Sequence, residues 1–177
     1  MIKEIVIYGR GGQGAVTSSY VLAKAFFYEG FYSQAFPSFG VERTGAPVEA
    51  YVRFSKKPIN LRQHVYKADY AIVLDSSLIE AANVKEKLKR NASVFINSAK
   101  KRKYFGKDIK EITTDITSIS LKIIGKPFVN ISILGLFATT KLVTMESLRK
   151  AIYEMLPENL AKLNYAAAME IYKNVVG

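Results

Sequence analysis

Apolar residues fall along this chain in short unbroken runs that alternate with longer segments of helical spacing. The run at residues 4–8, ending Ile5-Val6-Ile7-Tyr8, predicts a buried strand. Residues 15–28 place Val16, Tyr20, Ala23 and Phe27 along one stripe and predict a helix. Residues 31–36 can return as a second strand, after which Pro37-Ser38-Phe39-Gly40 breaks the pattern and a long turn runs to Pro47. Residues 48–54 alternate as a third strand beside the preceding one. Residues 68–74 form a short apolar run ending at Asp75, with a helix expected from Ser76 or Ser77 to about Lys89 and a further strand at 93–97.

The carboxy-terminal third reads as helical. Thr113-Thr114-Asp115 can cap a helix to Ile124, which Gly125-Lys126-Pro127 ends. Helices over 130–141 and 144–155 follow, and Pro157 suits the first turn of a last helix to about Tyr172. The expected architecture is α/β: a single domain over residues 1–177, a mostly parallel sheet flanked by helices, a Rossmann-like glycine turn and a helical C-terminal third.

Composition narrows the chemistry. The 177 residues suffice for one domain with a real core, and 49% are hydrophobic, which argues against disorder. There is no cysteine, so disulfides, thiol nucleophiles and cysteine-ligated iron–sulfur clusters are excluded from this chain. The single histidine, His64, sits between polar neighbours and reads as a loop residue, so neither a zinc site nor a Ser-His-Asp triad is expected. The longest apolar run, residues 131–138, is far below the ~20 residues of a spanning helix, and a cytoplasmic protein without membrane contact is expected.

The formal charge of +11 is concentrated. Between Lys85 and Lys110, ten Lys or Arg stand against Glu86 and Asp108. Such a stretch is either a solvated helix end and loop or a surface for an anionic partner. Nucleic acid is the weaker choice, because only Tyr104 and Phe105 interleave with the basic run and no nucleic-acid motif accompanies it.

Gly9-Arg10-Gly11-Gly12-Gln13-Gly14 follows the first strand and opens the first helix. The spacing fits the dinucleotide pattern, in which a helix N-terminus meets phosphate. The ribose-binding acid expected about 20 residues later is missing, since Gln34-Ala35-Phe36-Pro37-Ser38 holds no carboxylate. A P-loop is excluded because Ala15-Val16 follows Gly14. The loop Phe36 to Val48 supports two readings: Phe36 and Phe39 fold back on their sheet, or the loop docks, with Arg43 reaching an anion and Glu42 fixing it.

The glycine turn, Phe36-Pro37-Ser38-Phe39-Gly40, Glu42-Arg43 and Gly45-Ala46-Pro47-Val48 together resemble the gamma subunits of pyruvate:ferredoxin oxidoreductases, within the 2-oxoacid:acceptor oxidoreductase family. Val73-Leu74-Asp75-Ser76-Ser77-Leu78, Asn97-Ser98 and Pro127-Phe128-Val129-Asn130 extend the resemblance over nearly the whole chain. The pattern departs at Val41 and Thr44, where many relatives carry proline and arginine.

The resemblance implies a pyruvate/ketoisovalerate oxidoreductase gamma domain spanning 1–177, in a pyruvate synthase that makes acetyl-CoA and reduces ferredoxin. It implies alpha, beta and delta subunits as partners, in a heterotetramer. Thiamine diphosphate, CoA and iron–sulfur clusters belong to the assembled enzyme, and none is held by this chain alone. Gly9, Arg10, Gly11, Gly12, Gln13, Gly14 and Arg43 would meet CoA phosphates or a partner backbone, while Phe36, Phe39 and Glu42 would face other subunits. Asp75 and Asn97 would shape the turn environment at the strand ends, and no catalytic or metal-binding residue is assigned. The alternatives are a ketoisovalerate or other 2-oxoacid enzyme, a stand-alone nucleotide-binding protein, and a basic interaction module.

Overall fold

The computed structural model describes residues 1–38, 45–61, 63–100 and 102–177. Six strands form one sheet: β1 (Lys3–Arg10), β2 (Tyr32–Pro37), β3 (Pro47–Ser55), β4 (Ala68–Val73), β5 (Leu88–Asn97) and β6 (Lys110–Thr114). Their spatial order is β2-β3-β1-β4-β5-β6. The adjacent strands β1, β4, β5 and β6 run parallel, and β3 is antiparallel to both β1 and β2. From β1 the chain crosses first toward β3 and later toward β4, so the carboxyl end of β1 lies at the topological switch point.

One sheet face is covered by α1 (Ala15–Tyr28), α3 (Ile116–Ile124), α4 (Val129–Ala138), α5 (Met145–Met155) and α6 (Glu158–Val176). Helix α4 is nearly all buried, which its continuous apolar sequence requires. Its Gly135 permits close contact with α6: a Cβ there would lie 1.9 Å from the Ala168 carbonyl oxygen. The opposite face is covered thinly, by α2 (Leu78–Ala81), a 3₁₀ turn (Val84–Lys87) and Tyr104, Phe105 and Ile109. No single helix among the described residues is long and apolar enough to cross a membrane.

Three expectations are corrected. The helix from Ser76 or Ser77 to Lys89 is only the four-residue α2 and the 3₁₀ turn, because Asn83 takes a left-handed conformation (φ 48°) and ends it. The strand at 93–97 begins earlier, at Leu88, and β6 is an additional strand where only a helix cap was expected. On α1 the stripe of Tyr20 and Phe27 faces outward, with Phe27 61% exposed, while Val21, Leu22, Ala25 and Phe26 reach the core. Elsewhere the elements match with shifted ends: Asp115 and Thr144 cap α3 and α5 through bonds to the Ser118 and Ser147 amides. Helix α4 stops at Ala138 rather than 141, and Pro157 stands just before α6, which runs past Tyr172 to Val176.

Candidate functional site

The glycine turn closes through short-range backbone bonds. The Gln13 amide donates to the Arg10 carbonyl (2.9 Å), and the Arg10 amide donates to Gln13 Oε1 (2.7 Å). The turn is also tied to the end of the 36–48 loop, because the Gly11 amide donates to the Ala46 carbonyl (2.8 Å) and the Gly45 amide to the Gly11 carbonyl (3.3 Å). Gly12 (φ +90°) and Gly14 (φ +80°) both occupy the left-handed region that glycine adopts without steric cost. They differ in surroundings. A Cβ on Gly14 would lie 2.5 Å from Asn130 Nδ2, whereas one on Gly12 would meet nothing within 4 Å among the described residues.

Arg10 turns inward as a brace. Its Nε donates to Asp75 Oδ2 (3.0 Å), Nη1 to the Gly45 carbonyl (3.0 Å) and Nη2 to Ser77 Oγ (2.6 Å). Asp75 also accepts from the Ser77 amide (2.9 Å) and hydroxyl (2.6 Å). Burial pushes the Asp75 carboxyl up, but the Ser77 bonds and the Arg10 guanidinium outweigh it and hold the group below its ordinary value. The result is a neutralised pair joining the ends of β1 and β4 to the loop that returns at Gly45.

The other strand ends complete a cleft. Asn97 is buried and its side chain is fully engaged: Nδ2 donates to the Leu74 carbonyl (2.9 Å), and Oδ1 accepts from the Ile116 amide (3.0 Å). It therefore fixes the start of α3 against β4 rather than reaching a ligand. The cleft, about 710 Å³, is lined by Gly12, Gln13, Ser76, Ser98, Lys100 and Phe128 among others. Helix α1 begins just after the lining residues Gly12 and Gln13, α4 contributes Val129 to the lining, and neither helix has a side-chain cap among the described residues. The N-terminus of α3, by contrast, is occupied by the Asp115 carboxylate.

Of the expected site residues in the turn, Gly12 and Gln13 line the cleft, whereas Arg10 turns to Asp75, Gly9 packs against Leu74 and Gly14 packs against Asn130. Phe36 lies against the sheet, its ring 5.3 Å from that of Tyr51 and 4.9 Å from the Arg53 guanidinium. Phe39, Glu42 and Arg43 lie outside the described residues. The sequence pattern gave no role in the site to Phe128 or Lys100, which share the cleft only because the sheet aligns separate loops at one edge.

The model for the family described as pyruvate ferredoxin/flavodoxin oxidoreductase matches residues 4–174. A pyruvate synthase subunit PorC of Methanocaldococcus jannaschii is 46% identical, over 98% of this chain and 97% of its own length. The common gamma subunit of pyruvate/ketoisovalerate oxidoreductases of Thermococcus litoralis is 44% identical, over 98% and 97% of the two chains. The crystal structure of the pyruvate oxidoreductase subunit PORC of Thermotoga maritima superimposes with a TM-score of 0.83 at 33% identity, covering 97% of this chain and 96% of that one. With the fold, the glycine turn and these matches in agreement over nearly its full length, the chain belongs to the pyruvate ferredoxin/flavodoxin oxidoreductase family, among its gamma-type subunits.

Proposed function

We propose that this chain is the gamma subunit of a pyruvate:ferredoxin oxidoreductase, which decarboxylates pyruvate oxidatively, forms acetyl-CoA and passes electrons to ferredoxin. Its role is to present the cleft at the switch point to CoA phosphates, in an assembly with alpha, beta and delta subunits in the cytoplasm. The observation that carries this reading is that Gly12 and Gln13 line the cleft just before α1, whose N-terminus has no side-chain cap among the described residues. Arg10 neutralises Asp75, so that carboxylate opposes an incoming phosphate less, and Lys100 adds a cation on the same wall. Thiamine diphosphate and the iron–sulfur clusters belong to the other subunits, in keeping with a chain that has no cysteine to ligate iron. The Thermococcus relative is named as common to pyruvate and ketoisovalerate enzymes, which supports placing the choice of 2-oxoacid outside this subunit.

The test is Gly12→Val in the assembled enzyme. The added side chain meets none of the described residues but stands at a φ that valine rarely adopts, so it alters the turn without colliding with the core. The expected result is a raised KM for CoA with the KM for pyruvate unchanged. Normal assembly with unchanged CoA kinetics would overturn the assignment.

A further inference from the structure

The outer edge of the sheet carries a second feature, next to the cleft assigned to CoA and sharing Ser98, Ala99, Lys100 and Asp115 with it. Strand β6 is the outermost strand, hydrogen-bonded to β5 on one side and, among the described residues, to no strand on the other. Beside it lies a second cleft of about 720 Å³, whose wall includes Lys100, Arg102, Lys103, Lys107 and Lys110. None of these five forms an ion pair among the described residues, whereas Lys3, Lys24, Lys87, Lys89 and Lys150 each meet a carboxylate. The two carboxylates on the same wall are turned to backbone amides. Glu111 accepts from the Tyr104 (3.0 Å) and Phe105 (2.9 Å) amides, and Asp115 accepts from Ser118 (3.0 Å). Thr113, also on this wall, has a buried hydroxyl without a hydrogen-bond partner among the described residues.

We propose that the free edge of β6 and its cationic rim form a docking site for an acidic, extended segment of a protein partner, which adds to the sheet as a seventh strand. Main-chain bonds to an open edge supply affinity that is indifferent to side chains, and the rim selects for negative charge. The same rim opposes a second copy of this chain, because pairing two β6 edges would bring like charges together. It is also poorly suited to nucleic acid. The Tyr104 ring is covered by the Arg102 guanidinium at 4.6 Å and its hydroxyl is bonded to Ser98 (2.7 Å), so it offers no free face for a base. Lys103 and Lys107 line the β6 cleft and not the cleft assigned to CoA, so substitutions there separate this reading from that of the glycine turn.

The experiment titrates the full chain with a short synthetic peptide alternating Glu and Val, with tripolyphosphate and duplex DNA as rival probes. The peptide is expected to bind, to weaken roughly tenfold between low and about 0.2 M salt, and to protect the amides of β6 from hydrogen exchange. The exposed double variant Lys103→Glu/Lys107→Glu should lose roughly tenfold in affinity while keeping its circular dichroism spectrum. Tighter binding of DNA or tripolyphosphate than of the peptide would overturn the proposal. So would peptide binding that leaves the β6 amides unprotected or survives the charge reversal.

Discussion

Gly14 combines a left-handed φ of +80° with a missing Cβ that would otherwise lie 2.5 Å from Asn130 Nδ2. Alanine at this position therefore meets both backbone strain, about 1–2 kcal/mol, and a collision with a side chain. We expect Gly14→Ala to lower the urea midpoint, and Asn130→Ala in the same chain to return part of the loss. The Asn130 carbonyl that receives the Ser18 hydroxyl is main-chain and survives that change. A double-mutant cycle with no coupling would show that strain alone matters. Asp75 makes a pH-dependent contribution of definite sign. Its folded pKa lies below the unfolded value, so the stabilisation is present above about pH 4 and is lost as pH falls through the folded pKa. The stability gap between the natural chain and Asp75→Asn should accordingly shrink on acidification, and urea titrations at several pH values would show it. A gap constant with pH would contradict the Arg10–Asp75 brace.

At the scale of elements, the closest constraint is between α4 and α6. Gly135 faces the Ala168 carbonyl so closely that a Cβ would lie 1.9 Å from backbone, which cannot swing aside as a side chain can. Gly135→Ala should cost about 1–3 kcal/mol in equilibrium unfolding by forcing the helices apart, and an unchanged midpoint would mean that they already move freely. Which elements the sequence reveals follows from burial. Strands β1 and β4 are legible as apolar runs because the central strands of a parallel sheet are covered on both faces. Strand β6 is not, since Lys110-Glu111-Ile112-Thr113-Thr114 is an edge with one large apolar residue and reads like the approach to a helix cap. The segment after Asp75 imitates a helix surface with its Lys and Glu spacing, and only the left-handed Asn83 reveals the break. The inner face of α1 was hidden for a different reason. Ser18 and Ser19 are buried there, and Ser18 bonds the Asn130 carbonyl, so small polar residues mark the close contact. The site was legible in the glycine turn, in Asp75-Ser76 and in Asn97-Ser98, all at strand ends; Asn130 and Phe128 join it only through the packing of α4.

For the whole molecule the decisive quantity is charge, +11 over 177 residues. The ion pairs at the amino-terminal strand ends, where Lys3 and Lys89 both lie 2.8 Å from the Asp69 carboxylate, absorb some of it. Burial pushes Asp69 up, and the two lysines more than reverse this and hold it below its ordinary value. The cations beside β6 have no such compensation. Two like charges ~10 Å apart in water repel by about 0.4 kcal/mol, so a group of five accumulates an opposing energy that salt can screen. The melting temperature of the isolated chain should therefore rise from low to moderate sodium chloride, although added salt weakens its surface ion pairs. Replacing Arg102, Lys103 and Lys107 by glutamine should raise the low-salt melting temperature and flatten that dependence. If the salt dependence survives those replacements, the repulsion lies elsewhere on the molecule. If the melting temperature instead falls with salt, the paired charges outweigh the unpaired ones and the β6 rim is not the main source of electrostatic strain.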